Sequence, residues 1–333
     1  MLIELDAGRA PTVLGAMRCV ATGRGTAPLS AADRIALDAF DRFILRRESG
    51  LDPDALPDVS PAQLAAAIAD ADARNHVVQF LVVMAVVDGV VGERRISVVV
   101  EYARALDSHE EAVRQLAELG RGNLAWVRAD MARQNLLSIT GRALDVTIDE
   151  WILPYRGDRA DPALAARYRA LGELHAGTLG RTFFEFYLAN RFAFPGEPDG
   201  LNERFAAPHD TTHVLSGYDT SPQGELLVST FTAGMHPREP MSGHILPVIV
   251  SWHLGIELAK TPGSIKGQLD PEKFWLAWER GSEVTTDIFA AGWKLWDFAA
   301  EPLERLRAGY RIRALDPAHA AHGEVPAWYR PVA

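Results

Sequence analysis

His209 and His213 stand four residues apart, and Glu225 follows after eleven intervening residues. Pro208 suits a first helical turn and Gly217 suits the left-handed residue that ends a helix. On such a helix the two imidazoles stack one turn apart on one face. That spacing lets them share a single ion, as on zinc helices of the His-Glu-x-x-His type. Ser221-Pro222 reads as the N-cap and first residue of the next helix. Glu225 then falls in its first turn, where a short connection can fold it back toward the histidines. Two histidines and one carboxylate leave an open coordination position, the arrangement of a catalytic zinc site. The same ligand type serves non-haem iron.

Asp210 takes the place where a metalloprotease helix needs its general-base glutamate. It is one methylene shorter and sits about 100° around the helix from His209, which excludes the protease reading. It can be a fourth ligand, or it can orient a ligand from just outside the coordination sphere. Each carboxylate taken alone could simply complement a helix dipole. The combination on two helices joined by a tight turn is what points to a metal.

Other groups with chemical potential surround this motif. Phe183, Phe184, Phe186, Tyr187, Phe192 and Phe194 form the densest aromatic segment. It reads either as helical core or as an apolar groove opening toward the metal, with Phe184, Phe186 and Tyr187 as substrate contacts. His236 and His244 follow the motif and could orient a substrate head group. His253, His175, His76 and His109 read as structural or exposed. Arg181, Arg191 and Arg204 could meet a substrate carboxylate bidentately or form surface ion pairs.

The elements that must position these residues are helical. Nearly every periodic segment repeats at 3.6 residues: 31–48, from 61 on, 74–87, 93–106, 109–119, 122–139, 162–175, 177–190, 208–216, 222–233, 239–260, 271–296 and 301–310. The β-branched run 96–100 sits within such a pattern and reads as buried helix. The Gly- and Pro-containing stretch 140–162 reads as a link between two helical bodies. The expected class is all-α, with an accessory domain over 1–145, a metal-binding domain over 160–313 and a surface tail over 314–333.

Composition narrows the function classes. Of the 333 residues 48% are hydrophobic and 23% charged, and 44 acids against 34 bases give a net charge of −10. No concentrated basic face appears, so nucleic acid is not an expected partner. Cys19 is the lone cysteine, which fits a reducing compartment. The acidic start lacks the pattern of a secretory signal, and no apolar run approaches the ~20 residues of a membrane span. The expected location is cytoplasmic, with attachment to the inner face of a membrane left open.

His209-Asp210, two residues, His213, eleven residues, Glu225 resembles the signature of the coenzyme Q (ubiquinone) biosynthesis protein four family. Gly180-Arg181-Thr182-Phe183-Phe184-Glu185-Phe186-Tyr187 ahead of it and Glu225-Leu226-Leu227-Val228 after it agree, as do Glu279-Arg280-Gly281, Asp287, Trp293, Trp296 and Leu306-Arg307. The resemblance covers residues 165–313. It implies that His209, Asp210, His213 and Glu225 bind a divalent metal, zinc first, with iron or magnesium as alternatives. It also implies ring chemistry on a prenylated benzoate, in which the C1 carboxyl is replaced by hydroxyl. The expected partners are a hydrophobic or prenylated aromatic small molecule, a membrane surface, other enzymes of that pathway and a second copy of the chain. A non-catalytic lipid-binding scaffold, or recruitment of the fold to secondary metabolism, are the competing expectations. The N-terminal half lies outside this resemblance. Residues 80–119 are instead similar to a tellurite-resistance B-like helical module, through Ala85-Val86-Val87-Asp88-Gly89 followed by Glu93.

Overall fold

The computed structural model describes residues 8–47, 50–141, 160–258 and 264–329. Among these the chain is all-α: helices follow one another without a strand, and only two isolated bridges pair extended residues. Local sequence explains the helix starts. Ser30 and Ser60 each close a capping box with the residue three positions on, Asp33 and Gln63, which satisfies first-turn N–H groups that have no intrahelical partner. Asp161, Thr178 and Ser221 cap the starts of later helices with their side chains.

The described chain forms two compact units. The first comprises the chain up to Met131 together with Ile245–Glu279, and the second comprises Ala132–His244 together with the chain from Arg280 onward. The division is therefore not a single cut of the chain, since residues 245–279 belong with the N-terminal unit. Of the stretch 140–162 expected as a link, residues 142–159 lie outside the described residues.

The first unit is built on Ala10–Ala21, Ala31–Ala39, Pro61–Ala67, Ala71–Val86, Glu93–Ala105 and Glu111–Gly120. Its core brings Phe40, Phe80 and Trp275 edge-on to one another at 4.9–5.6 Å. The buried carboxylate of Asp33 is paired with Arg95, which also holds Asp88 at 2.9 Å. Asp88 of the tellurite-resistance-like segment is thus an ion-pair partner at a turn between helices. Residues 96–100 are helical, as the charged flanks suggested. The helix over Ala10–Ala21 was not anticipated, yet Pro11 starts it and Val13, Leu14, Met17 and Val20 are buried.

The second unit carries the histidine motif. Its helices are Pro162–Ala170, Leu179–Asn190, Glu203–Ser216, Pro222–Met235, Leu295–Phe298 and Leu303–Gly309. Several boundaries differ from the periodicity. Helix 31–48 gives way to a wider π-helical turn at Phe40–Ile44, and 239–260 resolves into a π-helical turn at Pro240–Ile245 followed by Leu246–Trp252. Helix 271–296 stops at Ser282 and resumes only as the single turn Leu295–Phe298. The described part of the tail is largely exposed and is anchored by the buried Leu315, Ala320, Ala321 and Tyr329.

Candidate metal centre

Three elements converge on the motif: the histidine helix Glu203–Ser216, the glutamate helix Pro222–Met235 and the aromatic helix Leu179–Asn190. The histidine helix begins five residues earlier than Pro208 suggested. Asn202 caps it by accepting from the Arg204 N–H, and Pro208 lies inside. A proline there removes one helical N–H donor. The carbonyl of Pro208 accepts from Thr212 Oγ1, one turn on, at 2.8 Å. Gly217 ends the helix as expected, at φ +87°. Ser221 caps the glutamate helix with Pro222 at its first position, and Asp219 ties the connection by accepting from Ser221 N–H at 3.0 Å.

This geometry brings the three predicted ligands together. His209 Nε2 and His213 Nε2 lie 3.3 Å apart. Glu225 places Oε2 3.3 Å from the first and Oε1 3.4 Å from the second. The three edges match one another and match a tetrahedral zinc sphere, in which ligand bonds of ~2.0–2.1 Å put neighbouring donors ~3.3–3.4 Å apart. An octahedral ion of the same bond length would bring neighbouring donors to ~2.9 Å. Two imidazole nitrogens with one carboxylate also suit zinc better than magnesium. The residues present therefore fit the implied ion.

The surroundings orient these donors. His213 Nδ1 donates to the Tyr218 carbonyl at 2.9 Å, so its Nε2 lone pair is left for an ion. Phe186 stacks on His213 with ring centres 5.5 Å apart, and Phe205 stacks on His209 at 4.9 Å. Burial alone would raise the Glu225 carboxyl, but the two imidazoles overcome it and hold the group well below the usual carboxylate range. Burial would lower His213, and the Glu225 charge reverses that and raises it. Four clustered carboxylate and imidazole groups in a buried place are what a cation would compensate.

Asp210 is set differently from the other three. It joins His209 and His213 in a cluster whose candidate ligand atoms lie within 4.8 Å of one another. Its Oδ2, however, accepts from Tyr187 Oη at 2.5 Å. Burial raises the Asp210 carboxyl, opposed by the His209 charge and the Tyr187 hydroxyl. This is the posture of a carboxylate steadied by a neighbour beside the candidate ligands.

The remaining predicted residues fall in two places. Phe184 packs over Gly172 and stacks on Phe194 at 5.5 Å. Phe183, Phe186, Tyr187 and Phe194 are buried, so most of the aromatic segment packs as core while Phe186 and Tyr187 touch the motif. Phe192, 42% exposed, meets Phe186 and Tyr187 edge-on at 5.9 Å. His236 and His244 form a second buried cluster. His236 bonds Asp287 Oδ2 through Nδ1 at 2.8 Å and the Ser138 carbonyl through Nε2 at 3.2 Å. His244 Nε2 meets Ser138 Oγ at 2.7 Å. His253 is structural as expected, bonded to the Val87 carbonyl and to Leu269 N–H. Arg181 is engaged with Glu185 and with the Gly172 carbonyl.

Sequence reasoning passed over the residues that hold the histidine helix from behind. Arg307 donates to the carbonyls of Val214 and Leu215 at 2.7 and 3.1 Å, and Arg280 donates to that of Ser216 at 3.0 Å. Two buried guanidiniums thus cap three successive carbonyls of the last turn, where positive charge complements the helix dipole. Both belong to the stretch that carried the resemblance, but spacing alone gave no reason to aim them at this helix. Tyr329 was equally unforeseen: a Cβ at Gly217 would lie 2.6 Å from its ring.

No family model matches the chain, and no curated protein matches it. Among solved structures it is similar to a protein from Nostoc punctiforme provisionally described as a ubiquinone biosynthesis protein, at 15% identity. That match covers 73% of this chain and 99% of the other, with a TM-score of 0.29. A likeness of that size carries no inference about fold or activity. Among the described residues no helix is long and apolar enough to cross a membrane.

Proposed function

We propose that the second unit is a metal-dependent enzyme domain whose ion, zinc first, binds an anionic oxygen of an aromatic carboxylate. The observation that carries this reading is the triangle of His209, His213 and Glu225 donor atoms, 3.3–3.4 Å on every side. Three protein ligands of a tetrahedral ion leave one position for water or substrate. Bound there, the ion would act as a Lewis acid toward a carboxylate or phenolate oxygen. The chain's own residues supply the rest. Tyr218 and Phe186 hold His213 in one orientation, Tyr187 steadies Asp210, and the buried setting limits water around the reacting group.

The resemblance of the motif extends this reading to a prenylated benzoate whose C1 carboxyl leaves as carbon dioxide while one atom of dioxygen enters as hydroxyl, the other atom leaving as water with two electrons and two protons from an external two-electron reductant. Zinc has no redox chemistry, so an electron-rich phenolate ring must itself react with oxygen, or the resident ion must be iron. The exposed edge of Phe192, one ring removed from the ligands, offers apolar surface for the hydrophobic part of such a substrate.

The test is elemental analysis of protein purified without chelators, beside His213→Ala. One equivalent of zinc or iron in the first and well under a tenth in the second supports the site. Equal metal content in both removes it. Calorimetry of the metal-loaded protein with benzoate then asks whether the open position takes a carboxylate, and no binding up to millimolar concentration would leave a structural metal only.

A further inference from the structure

The glutamate helix is buried and largely apolar, yet one face of it is polar. Glu225, Ser229, Thr232 and His236 recur at i, i+4, i+7 and i+11, the spacing of a single helical stripe. The stripe leads from the metal ligand in the first turn to His236 at the C-cap, about 16 Å along the axis. Thr230, off this stripe, satisfies its hydroxyl on the Leu226 carbonyl at 2.7 Å. Thr232 does not: its Oγ1 is buried and meets no partner among the described residues.

A second unpartnered atom lies beside His236. The His244 ring stands 5.8 Å from that of His236, and both pack against Phe289. Ser138 Oγ donates its hydrogen to the Arg238 carbonyl at 3.0 Å, so His244 Nε2 is the donor in its 2.7 Å bond to that oxygen. A neutral imidazole with its hydrogen on Nε2 has a bare lone pair on Nδ1. No hydrogen bond reaches that atom among the described residues, although His244 is only 7% exposed. Burial first, then the charges of His236 and His209, push His244 down to about 3. The ring is therefore an acceptor at neutral pH, and it lies near enough to His209 to feel its charge. Leaving the buried Thr232 Oγ1 unmatched is costly, and a ligand group that bonds it beside His244 Nδ1 would remove that cost.

We propose that His244 is a specificity residue of the metal site: its Nδ1 accepts a hydrogen bond from a neutral hydroxyl of the bound carboxylate ligand, with Thr232 Oγ1 as the second contact. This rests on the reading that the ion holds a carboxylate. It adds that the far end of the ligand must be a hydrogen-bond donor. An acceptor-only group, such as a second carboxylate or an ether, would face the lone pair of His244 without compensation, and sites built around such a bond reject analogues that cannot make it.

The experiment is calorimetry of the full-length, zinc-loaded protein with benzoate, 3-hydroxybenzoate and 4-hydroxybenzoate. At least one hydroxybenzoate is expected to bind on the order of tenfold more tightly than benzoate. In fully zinc-loaded His244→Phe that ratio is expected to fall to about one. His244→Asn, which keeps an acceptor near the Nδ1 position, is expected to retain part of the preference. Thr232→Val, nearly isosteric, is expected to lower it, and it carries the test if the His244 variants do not fold. An undiminished preference in fully zinc-loaded His244→Phe or Thr232→Val would overturn the proposal, as would benzoate binding with no hydroxyl preference in the wild type. Failure to bind zinc or any benzoate would instead sink the reading beneath it.

Discussion

Tyr187 Oη and Asp210 Oδ2 are joined at 2.5 Å with both side chains buried. Burial and the adjacent carboxylate push the Tyr187 phenol well above its ordinary range, so it remains a donor at any physiological pH. The bond occupies one oxygen of Asp210, whose carboxylate lies within 4.8 Å of the imidazole nitrogens. Removing the hydroxyl in Tyr187→Phe should free the carboxylate to rotate. Loss of such an outer partner typically lowers metal affinity by about 10–100-fold. Competition with a chromophoric chelator measures this, and wild-type affinity in the variant would show that Asp210 needs no such support.

Glu225 is the proposed ligand contributed by the glutamate helix, 3.3 and 3.4 Å from the two imidazoles. Glu225→Gln keeps the shape and removes the charge that both imidazoles face. Zinc should then raise the melting temperature of the wild type and leave that of Glu225→Gln nearly unchanged, because a ligand stabilises only the state that binds it. Equal zinc-induced shifts in both proteins would exclude Glu225 as a ligand.

Arg307 holds two carbonyls at the end of the histidine helix. Arg307→Met fills similar volume but leaves them without a donor inside the protein. Each buried acceptor left unpaired costs roughly 1–3 kcal/mol, so urea unfolding should show a loss of that order or more. Metal affinity should fall with it, since the last turn carries His213. A variant as stable as wild type would mean that Arg280 or water takes over both carbonyls.

Gly217 combines φ +87° with a ring 2.6 Å from where its Cβ would be. Gly217→Ala meets both left-handed strain, on the order of 1 kcal/mol, and the clash with Tyr329. Pairing it with Tyr329→Ala should make the double variant less unstable than the sum of the two single changes. Strict additivity of the unfolding free energies would show that ring and glycine are uncoupled.

His244 also links the fold to pH. Its ring faces His236, Ser138 and Phe289, and the charge of His209 reaches it. Its folded value is lowered to about 3, whereas the unfolded chain protonates it near its ordinary ~6.5. Between those values the unfolded state binds more protons, so stability is present above ~6.5 and is lost as pH falls through this window. At pH 5.5 that amounts to about 1.4 kcal/mol relative to neutral pH. Chelator-treated protein should therefore melt at a lower temperature at pH 5.5 than at 7.5, and His244→Phe should show a smaller drop. An equal drop in the variant would assign the acid sensitivity to other groups, such as His253, which burial also lowers.

Much of the candidate metal site was legible in local sequence, because its determinants are short-range. The i, i+4 histidines, the left-handed Gly217 and the Ser221-Pro222 start act over a few residues, and a helix turn converts them directly into a shared face. The all-α class follows in the same way from the 3.6-residue repeat and the capping residues. Helix ends were less legible where tertiary contacts outweighed local preference. Pro208 reads as a start, but the Asn202 cap and packing on both sides carry the helix through it.

What the tertiary structure alone decided are relationships between residues distant in the chain. Arg280 and Arg307 reach back to carbonyls at 214–216, Tyr329 closes against Gly217, and the Tyr187 hydroxyl bonds Asp210. Residues 245–279 join the N-terminal unit, although their helical periodicity reads like that of the segments on either side. Periodicity records that a face is buried but not which partner buries it. A guanidinium's target, a ring's neighbour and the unmatched lone pair of His244 emerge only when helices from separate parts of the chain are packed together.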